Sequence, residues 1–321
     1  MILLCSMKSL PAETKYTILS ATPQDDLQDI IDNAAPYSIL CLAPGIYTQE
    51  LMIHIPLHIK GSSDNTTVFI VETDTNKPAL TISSEHTTLQ HLTFINTGPG
   101  IYTTGVRVIA AQTTIQQCQF KDTPVGIALW SSNNTVAHST FFNCSDEGIV
   151  IISSSLFTAD NNTIEYCEFI KNCDGIELQQ SSYNTVRNCL FDSNNHDGID
   201  AIKNNNNHNK ILNCTIINNQ VHGLYFSRSQ NNTIQDCIIA NNTDADVLFT
   251  PDLNDNVVHY TTNDASKQPL PPTLAQEELN TDDTRMLNFL NTIRDRLLAL
   301  LTPLLGFIRI SEFNLQFLIP I

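Results

Sequence analysis

Basic residues are scarce in this sequence: 16 Lys and Arg stand against 33 Asp and Glu, a formal net charge of -17. A surface of that charge repels nucleic-acid phosphates and anionic membranes, so nucleic acid is excluded as a partner. A polyuronate is repelled too, unless Ca²⁺ bridges the two. A run long enough to span a bilayer is also missing. The longest candidate, from Leu297 to Ile308, contains Pro303 and lies between Arg296 and Arg309; it is about a dozen residues, against roughly twenty for a spanning helix. The L-x-x-L-x-L-x-x-N register of leucine-rich repeats does not occur, nor do the helical segments that accompany it.

What is present instead is a row that recurs. The segments "TTIQQCQFKDTPVGIALWSS" from Thr113, "NTVAHSTFFNCSDEGIVIISS" from Asn134, "NTIEYCEFIKNCDGIELQQSS" from Asn162 and "NTVRNCLFDSNNHDGIDAIKN" from Asn184 align. So do "NKILNCTIINNQVHGLYFSRS" from Asn209 and "NTIQDCIIANNTDADVLF" from Asn232. A weaker row, "TTLQHLTFINTGPGIYTTGVRV", starts at Thr87. Asn134, Asn162, Asn184, Asn209 and Asn232 lie 28, 22, 25 and 23 residues apart. That drifting period marks stacked units with loops of variable length.

Each row holds short runs of Ile, Val, Phe, Thr and Cys, which favour pleated surfaces, separated by turn-forming Asn, Asp, Ser and Gly. The pattern predicts an all-β fold: a right-handed parallel β-helix of nine or ten coils, one per row. Within "GIELQ", alternation turns Ile176 and Leu178 inward and Glu177 outward. A column of Cys118, Ser139, Cys167, Cys189, Cys214 and Cys237 is followed two residues on by Phe120, Phe141, Phe169, Phe191, Ile216 and Ile239. Free Cys packs as a small hydrophobe, so this ladder reads as core, not as disulfides or a metal site.

Before the coils, "DDLQDIIDNAAP" spaces Leu27, Ile30 and Ile31 as one face of a short helix that ends before Pro36 and caps the open end of the stack. After about Val258 the repeat stops. The expected organisation is therefore an N-terminal segment and capping helix over 1–36 and a solenoid over 37–260. A polar linker follows over 261–284, then an amphipathic helix and tail over 285–321. The stripe Leu287, Leu290, Ile293, Leu297, Leu300, Leu301 and Leu304 predicts a helix over 285–308 that packs on outward apolar residues of the early coils, such as Ile109, Ala128, Trp130, Val150 and Ile152. The same stripe admits a weak contact with a membrane surface. The sequence leaves oligomeric state open.

The residues from "APGIYTQELMIHIPLHIKG" onward, with the "NTI...C.F..N...GI.L..SS" rows, resemble the right-handed parallel β-helix family with NosD-like repeats. That family is also described as a carbohydrate-binding and sugar-hydrolysis domain and is related to pectate lyases. The resemblance covers about residues 20 to 260. It implies polysaccharide binding or cleavage, uronate epimerisation, or service to copper-site assembly. A Met or His cluster suited to copper(I) is not visible in the sequence. The family also implies a periplasmic or extracellular location. The opening residues, "MILLCSMKSLPAE", lack a basic start and a long apolar run, so taken as the true start they imply a cytoplasmic chain, which the inward Cys ladder suits.

One face concentrates chemistry. Counting from each row's Gly, the residue before it runs Val125, Glu147, Asp174, Asp197, His222; the residue two after it runs Ala128, Val150, Glu177, Asp200, Tyr225; the residue five after it runs Ser131, Ser153, Gln180, Lys203, Arg228. Strands about 4.8 Å apart bring Glu177 over Asp200 as a carboxylate pair. Such a pair raises one pKa or shares a Ca²⁺, with Asp174, Glu177 and Asp200 as ligands. Glu177, Asp197, Asp200, His222 and Tyr225 are the candidate proton-transfer residues, and Lys203 and Arg228 the candidates for binding a sugar carboxylate. A plain solvated face is the competing reading, on which these acids are exposed and contribute little to folding. A non-catalytic interaction solenoid is then the alternative function, and a copper-assembly accessory the second. The N-x-Ser/Thr triplets at Asn133, Asn143, Asn161, Asn213, Asn231 and Asn241 read first as turn asparagines and second as glycosylation acceptors.

Overall fold

The computed structural model describes residues 17–250 and 255–261. Its strands form a parallel β-solenoid of about ten turns. Each turn contributes one strand to a nine-stranded sheet and, in most turns, two strands to a nineteen-stranded sheet that folds into two stacks. Thr114–Gln116, Gln119–Lys121 and Val125–Leu129 are one such turn. Parallel pairing is in register along the axis: Ile127 faces Ile149, Ile149 faces Ile176, Ile176 faces Ile199 and Ile199 faces Leu224.

The expected columns are present. Cys118, Ser139, Cys167, Cys189, Cys214 and Cys237 are all buried in one row. Beside them Tyr47, Phe69, Phe94, Phe120, Phe141, Phe169 and Phe191 stack ring on ring, with centroids 5.2, 5.1, 5.3, 5.0, 4.8 and 4.7 Å apart. Parallel offset rings at this spacing add a small increment to their burial. The ring column explains the neighbouring glycines. A Cβ on Gly175 would lie 2.4 Å from the Gly198 carbonyl oxygen and 2.5 Å from the Phe191 ring, and one on Gly126 would meet the Gly148 oxygen at 2.4 Å.

Two internal asparagine ladders hold the bends. The Oδ1 of Asn162 accepts from the Asn134 backbone N–H, Asn184 from Asn162, Asn209 from Asn184 and Asn232 from Asn209, at 2.9, 2.9, 2.8 and 2.8 Å. A second ladder runs through Asn172, Asn194, Asn219 and Asn242. All these asparagines are buried. The bends between strands are made by non-glycine residues with left-handed backbones. Asn133, Asn143, Asn161, Asn213, Asn231 and Asn241 are exposed, with φ of 62, 56, 57, 51, 56 and 61°. Asparagine tolerates that region better than most residues, which accounts for the triplets architecturally.

The helix forms at Leu27–Asn33, with the Asp26 side chain capping the Asp29 N–H and Leu27 and Ile31 buried. Stacking starts earlier than the expected residue 37, because Ile18–Ala21 pairs in parallel with Ser38–Leu42 upstream of the helix. Of the outward apolar face, Ile109 is exposed, whereas Ala128, Val150 and Ile152 are buried. The expected linker from 262 and helix over 285–308 lie outside the described residues. Among the described residues, no helix is long and apolar enough to cross a membrane.

The ladders make a direct prediction. Asn194 Oδ1 accepts from both the N–H and the side-chain amide of Asn172, and its own amide donates to the Phe169 carbonyl. Asn194→Ala strands these groups in the core, so thermal or urea unfolding should show a loss of roughly 2–4 kcal/mol, far above that of an exposed turn variant such as Asn161→Asp.

Candidate functional site

The functional residues sit at the bend between the second and third stacks and on the strands that follow it: Glu147–Ile152, Asp174–Gln179, Ile199–Ile202 and His222–Phe226. In-register pairing brings the outward row together as the spacing predicts. Val150 faces Glu177, Glu177 faces Asp200, Asp200 faces Tyr225, and Glu147 faces Asp174 one row earlier.

Their burial corrects the expectation of exposed acids. Glu147, Asp174, Glu177, Asp197 and Asp200 retain only 5, 6, 7, 0 and 5 % of their accessible surface. A short outward side chain held between neighbours about 4.8 Å above and below is hidden in a way that alternation along one strand does not reveal.

Two aspartates anchor the bend and an imidazole at once. Asp174 Oδ1 accepts the Asp197 backbone N–H at 2.7 Å and lies 2.9 Å from His196 Nδ1. One coil on, Asp197 Oδ1 accepts the His222 backbone N–H at 2.7 Å and lies 3.0 Å from His222 Nδ1. His222 stacks on Tyr225 with ring centroids 5.3 Å apart. The His196 side chain is 45 % exposed and that of His222 15 %. Lys203 and Arg228 follow on left-handed bends, with φ of 64 and 46°. Arg228 is exposed, and Lys203 is close enough to pull the Glu177 pKa down.

One donor atom from each of Asp174, His196, Asp197 and Asp200 lies within 4.8 Å of the others. Asp197 Oδ2, fully buried, has no hydrogen-bond partner among the described residues and lies 3.7 Å from His196 Nδ1. A converging set of three carboxylates and one imidazole with a spare buried oxygen fits a divalent cation. The carboxylates favour a hard ion such as Ca²⁺, and the imidazole admits Mn²⁺ or Zn²⁺. This set differs from the expected Asp174, Glu177 and Asp200. Glu177 hydrogen-bonds Gln179, and His196 and Asp197 join the cluster. His196 was missed because its row position reads Pro124, Asp146, Cys173, His196, with no pattern. The available signal was its interval of 22 residues from Asp174, one rung of the repeat.

Burial dominates the electrostatics. It lifts Glu147 well above the ordinary carboxylate range, helped by Asp146, and pushes Glu177 up to about 8. It also outweighs the pull of His196, so Asp174 too stays above its usual value. The hydrogen bond that His196 donates to Asp174 raises the imidazole to about 9. In the cysteine ladder, burial pushes the Cys118 thiol up to about 12, away from the thiolate that binds copper(I).

These shifts share a sign. Each group binds protons more tightly folded than unfolded, so stability falls as pH rises. The Glu177 contribution is full below about 4.5 and is lost as pH rises through about 8. That of His196 is full below 6.5 and is lost through about 9. Melting temperature should therefore decline between pH 5 and 9, Glu177→Gln removing the lower part of the slope and His196→Gln the upper. Cation uptake should release protons, read as a calorimetric enthalpy that changes with the ionisation enthalpy of the buffer.

Comparison with known proteins follows the geometry. The right handed beta helix region matches residues 57–207 and 167–267. Among curated proteins, none matches the sequence. Among solved structures, an alginate lyase from Paenibacillus sp. str. FPU-7 superposes with TM-score 0.58 at 17% identity, covering 81% of this chain and 99% of that one. The pectate lyase Pel9A gives 0.54 at 14%, covering 84% of each chain. The enzymatically active domain of bacteriophage CBA120 tailspike protein 2 gives 0.59 at 13%, covering 78% of this chain and 43% of that one. At these identities the likeness is one of fold. With the ring column, the in-register stacks and the match across 57–267 in agreement, this chain belongs to the right-handed β-helix region family.

Proposed function

We propose that this chain modifies acidic polysaccharides, by proton transfer at a uronate residue bound across the face from Asp174 to Arg228. The observation that carries the reading is the convergence of Asp174, His196, Asp197 and Asp200 with a buried Asp197 oxygen that has no hydrogen-bond partner among the described residues. The fold shared with an alginate lyase and a pectate lyase supports it at the level of scaffold.

Elimination and epimerisation of a uronate both begin by removing the proton next to its carboxylate. A cation held by Asp174, His196, Asp197 and Asp200 would bind that carboxylate and offset the repulsion of a chain with net charge -17. The protein's own groups do the rest. Asp197 orients the His222 imidazole through Nδ1 at 3.0 Å, which leaves Nε2 to accept a proton as general base. Tyr225, stacked on that ring and kept protonated chiefly by burial, is positioned to donate one. Lys203 and Arg228, one coil apart at the edge, bind further sugar carboxylates.

The test measures exchange of the uronate C5 proton with solvent deuterium by NMR, on polygalacturonate and alginate, with Ca²⁺ or Mn²⁺ and with chelator. Epimerisation replaces that proton with solvent deuterium and elimination loses it as the C4–C5 double bond forms and the C4 oxygen leaves, so loss of the C5–H signal counts as exchange in either case. The expected result is cation-dependent exchange that falls by at least about 10²-fold in Asp200→Asn and in His222→Ala, with both variants folded. Exchange that survives both substitutions would move the chemistry elsewhere. A complete absence of exchange and of cation-dependent binding to either polymer would leave the acids as architecture and overturn the proposal.

A further inference from the structure

A second concavity lies at a different corner of the coil, at the bend between the first and second stacks. It is a groove of about 340 Å³ whose lining includes Asn65, His91, Gln117, Gln119, His138 and Thr140. These come from four successive turns, so the groove runs along the axis for three steps of about 4.8 Å, roughly 14 Å. Its volume lies at the lower end of the range of small-molecule sites, about 300–1,000 Å³.

The lining is polar and carries no formal charge. It contains no Asp, Glu, Lys or Arg. His91 is held neutral near physiological pH, since burial and then nearby Lys60 lower its pKa. The first acid in register along the wall is Glu168, which pairs with Thr140 one turn past the lining. In a chain of net charge -17, an uncharged strip of four turns is conspicuous.

Two of its polar atoms are unsatisfied. Asn65 Oδ1 and His91 Nδ1 are buried without hydrogen-bond partners among the described residues. Such atoms in a native fold call for a partner. Two of the other side chains are already held. Gln117 Oε1 accepts from the Gln90 amide at 2.7 Å, and His138 lies flat on Tyr166 with centroids 4.9 Å apart and planes within 4°. His91, Gln117, His138 and Tyr166 share left-handed φ of 55, 54, 50 and 54°, so the bend presents their side chains in a repeating row, and Asn65 joins it from the longer loop of the turn before.

We propose that this groove is a binding site for neutral sugar residues, separate from the acidic face. Amide, imidazole and hydroxyl groups with no net charge pair with sugar hydroxyls, which both donate and accept. They give no advantage to a uronate or a phosphate. The axial run of the groove suits a linear segment of glycan, and the open Asn65 acceptor and His91 nitrogen supply the fixed contacts. The inference does not rest on the acidic face being catalytic, because the two sites occupy different corners and share no residue.

The test follows the imidazole NMR signals of His91 and His138 in the full chain during titration with neutral gluco-, xylo-, manno- and galacto-oligosaccharides. Saturable shifts are expected with at least one of the four, unchanged by chelator and by Asp200→Asn. Asn65→Gly and His91→Gly, which keep the left-handed backbone accessible, should each weaken Kd by about tenfold, the effect of one lost hydrogen bond. Gln119→Ala, on a regular strand, tests the same wall without touching a bend, and a shared melting temperature identifies folded variants. Two outcomes overturn the proposal: no saturable shift with any of the four sugars, or binding that persists unweakened in all three variants.

Discussion

The solenoid depends on one interaction repeated along its length: a buried asparagine side chain of one coil accepting the backbone N–H of the coil before it. A chain that turns three corners per coil directs N–H groups inward where no sheet partner exists. Each would cost on the order of 1–3 kcal/mol if left open. The ladders from Asn134 to Asn232 and from Asn172 to Asn242 close them. With the corners closed, the strands from Val125 to Phe249 of the nine-stranded sheet lie in register. Register then stacks the phenylalanine rings, and the rings demand glycine at 126, 148 and 175. Repeat length is free to drift from 22 to 28 residues because the rung is fixed by the asparagine and not by the loop.

Much of this was legible in the sequence, because a column repeats the same kind of residue at the same place in each row. The Cys and Phe columns, the outward row through Glu177, Asp200 and Tyr225, and the short helix at Leu27 could all be read that way. Three features could not. The burial of the acids depends on the coils above and below, which alternation along one strand does not register. His196 belongs to a position whose occupants share nothing, so only its rung distance from Asp174 betrays it. The neutral groove is assembled from left-handed residues of three types, Asn, Gln and His, and its significance comes from lacking charge and from two atoms without hydrogen-bond partners among the described residues.

The acidic face is electrostatically unfinished as it stands. Five carboxylates with almost no access to water sit on three adjacent coils of an already anionic chain. Burial and mutual repulsion hold Glu147, Asp174 and Glu177 above their ordinary range, so some of the face is neutralised by protons. A divalent cation held as proposed would neutralise it more completely and use the oxygens as ligands. Protons and cation would then compete for one set of atoms, which would couple folding stability, pH and metal occupancy in a single equilibrium.

Asp174 and Asp197 serve two masters. Each accepts the backbone N–H of the following bend, at 2.7 Å, and each also holds an imidazole. Selection for a stable fold would preserve both even in a descendant that had abandoned chemistry, since losing either opens a buried donor. The half-exposed imidazole of His196 is under no such architectural obligation. The paired aspartates would therefore persist for the fold alone, whereas losing the histidine beside them would remove a donor from the proposed cation site without opening a buried N–H.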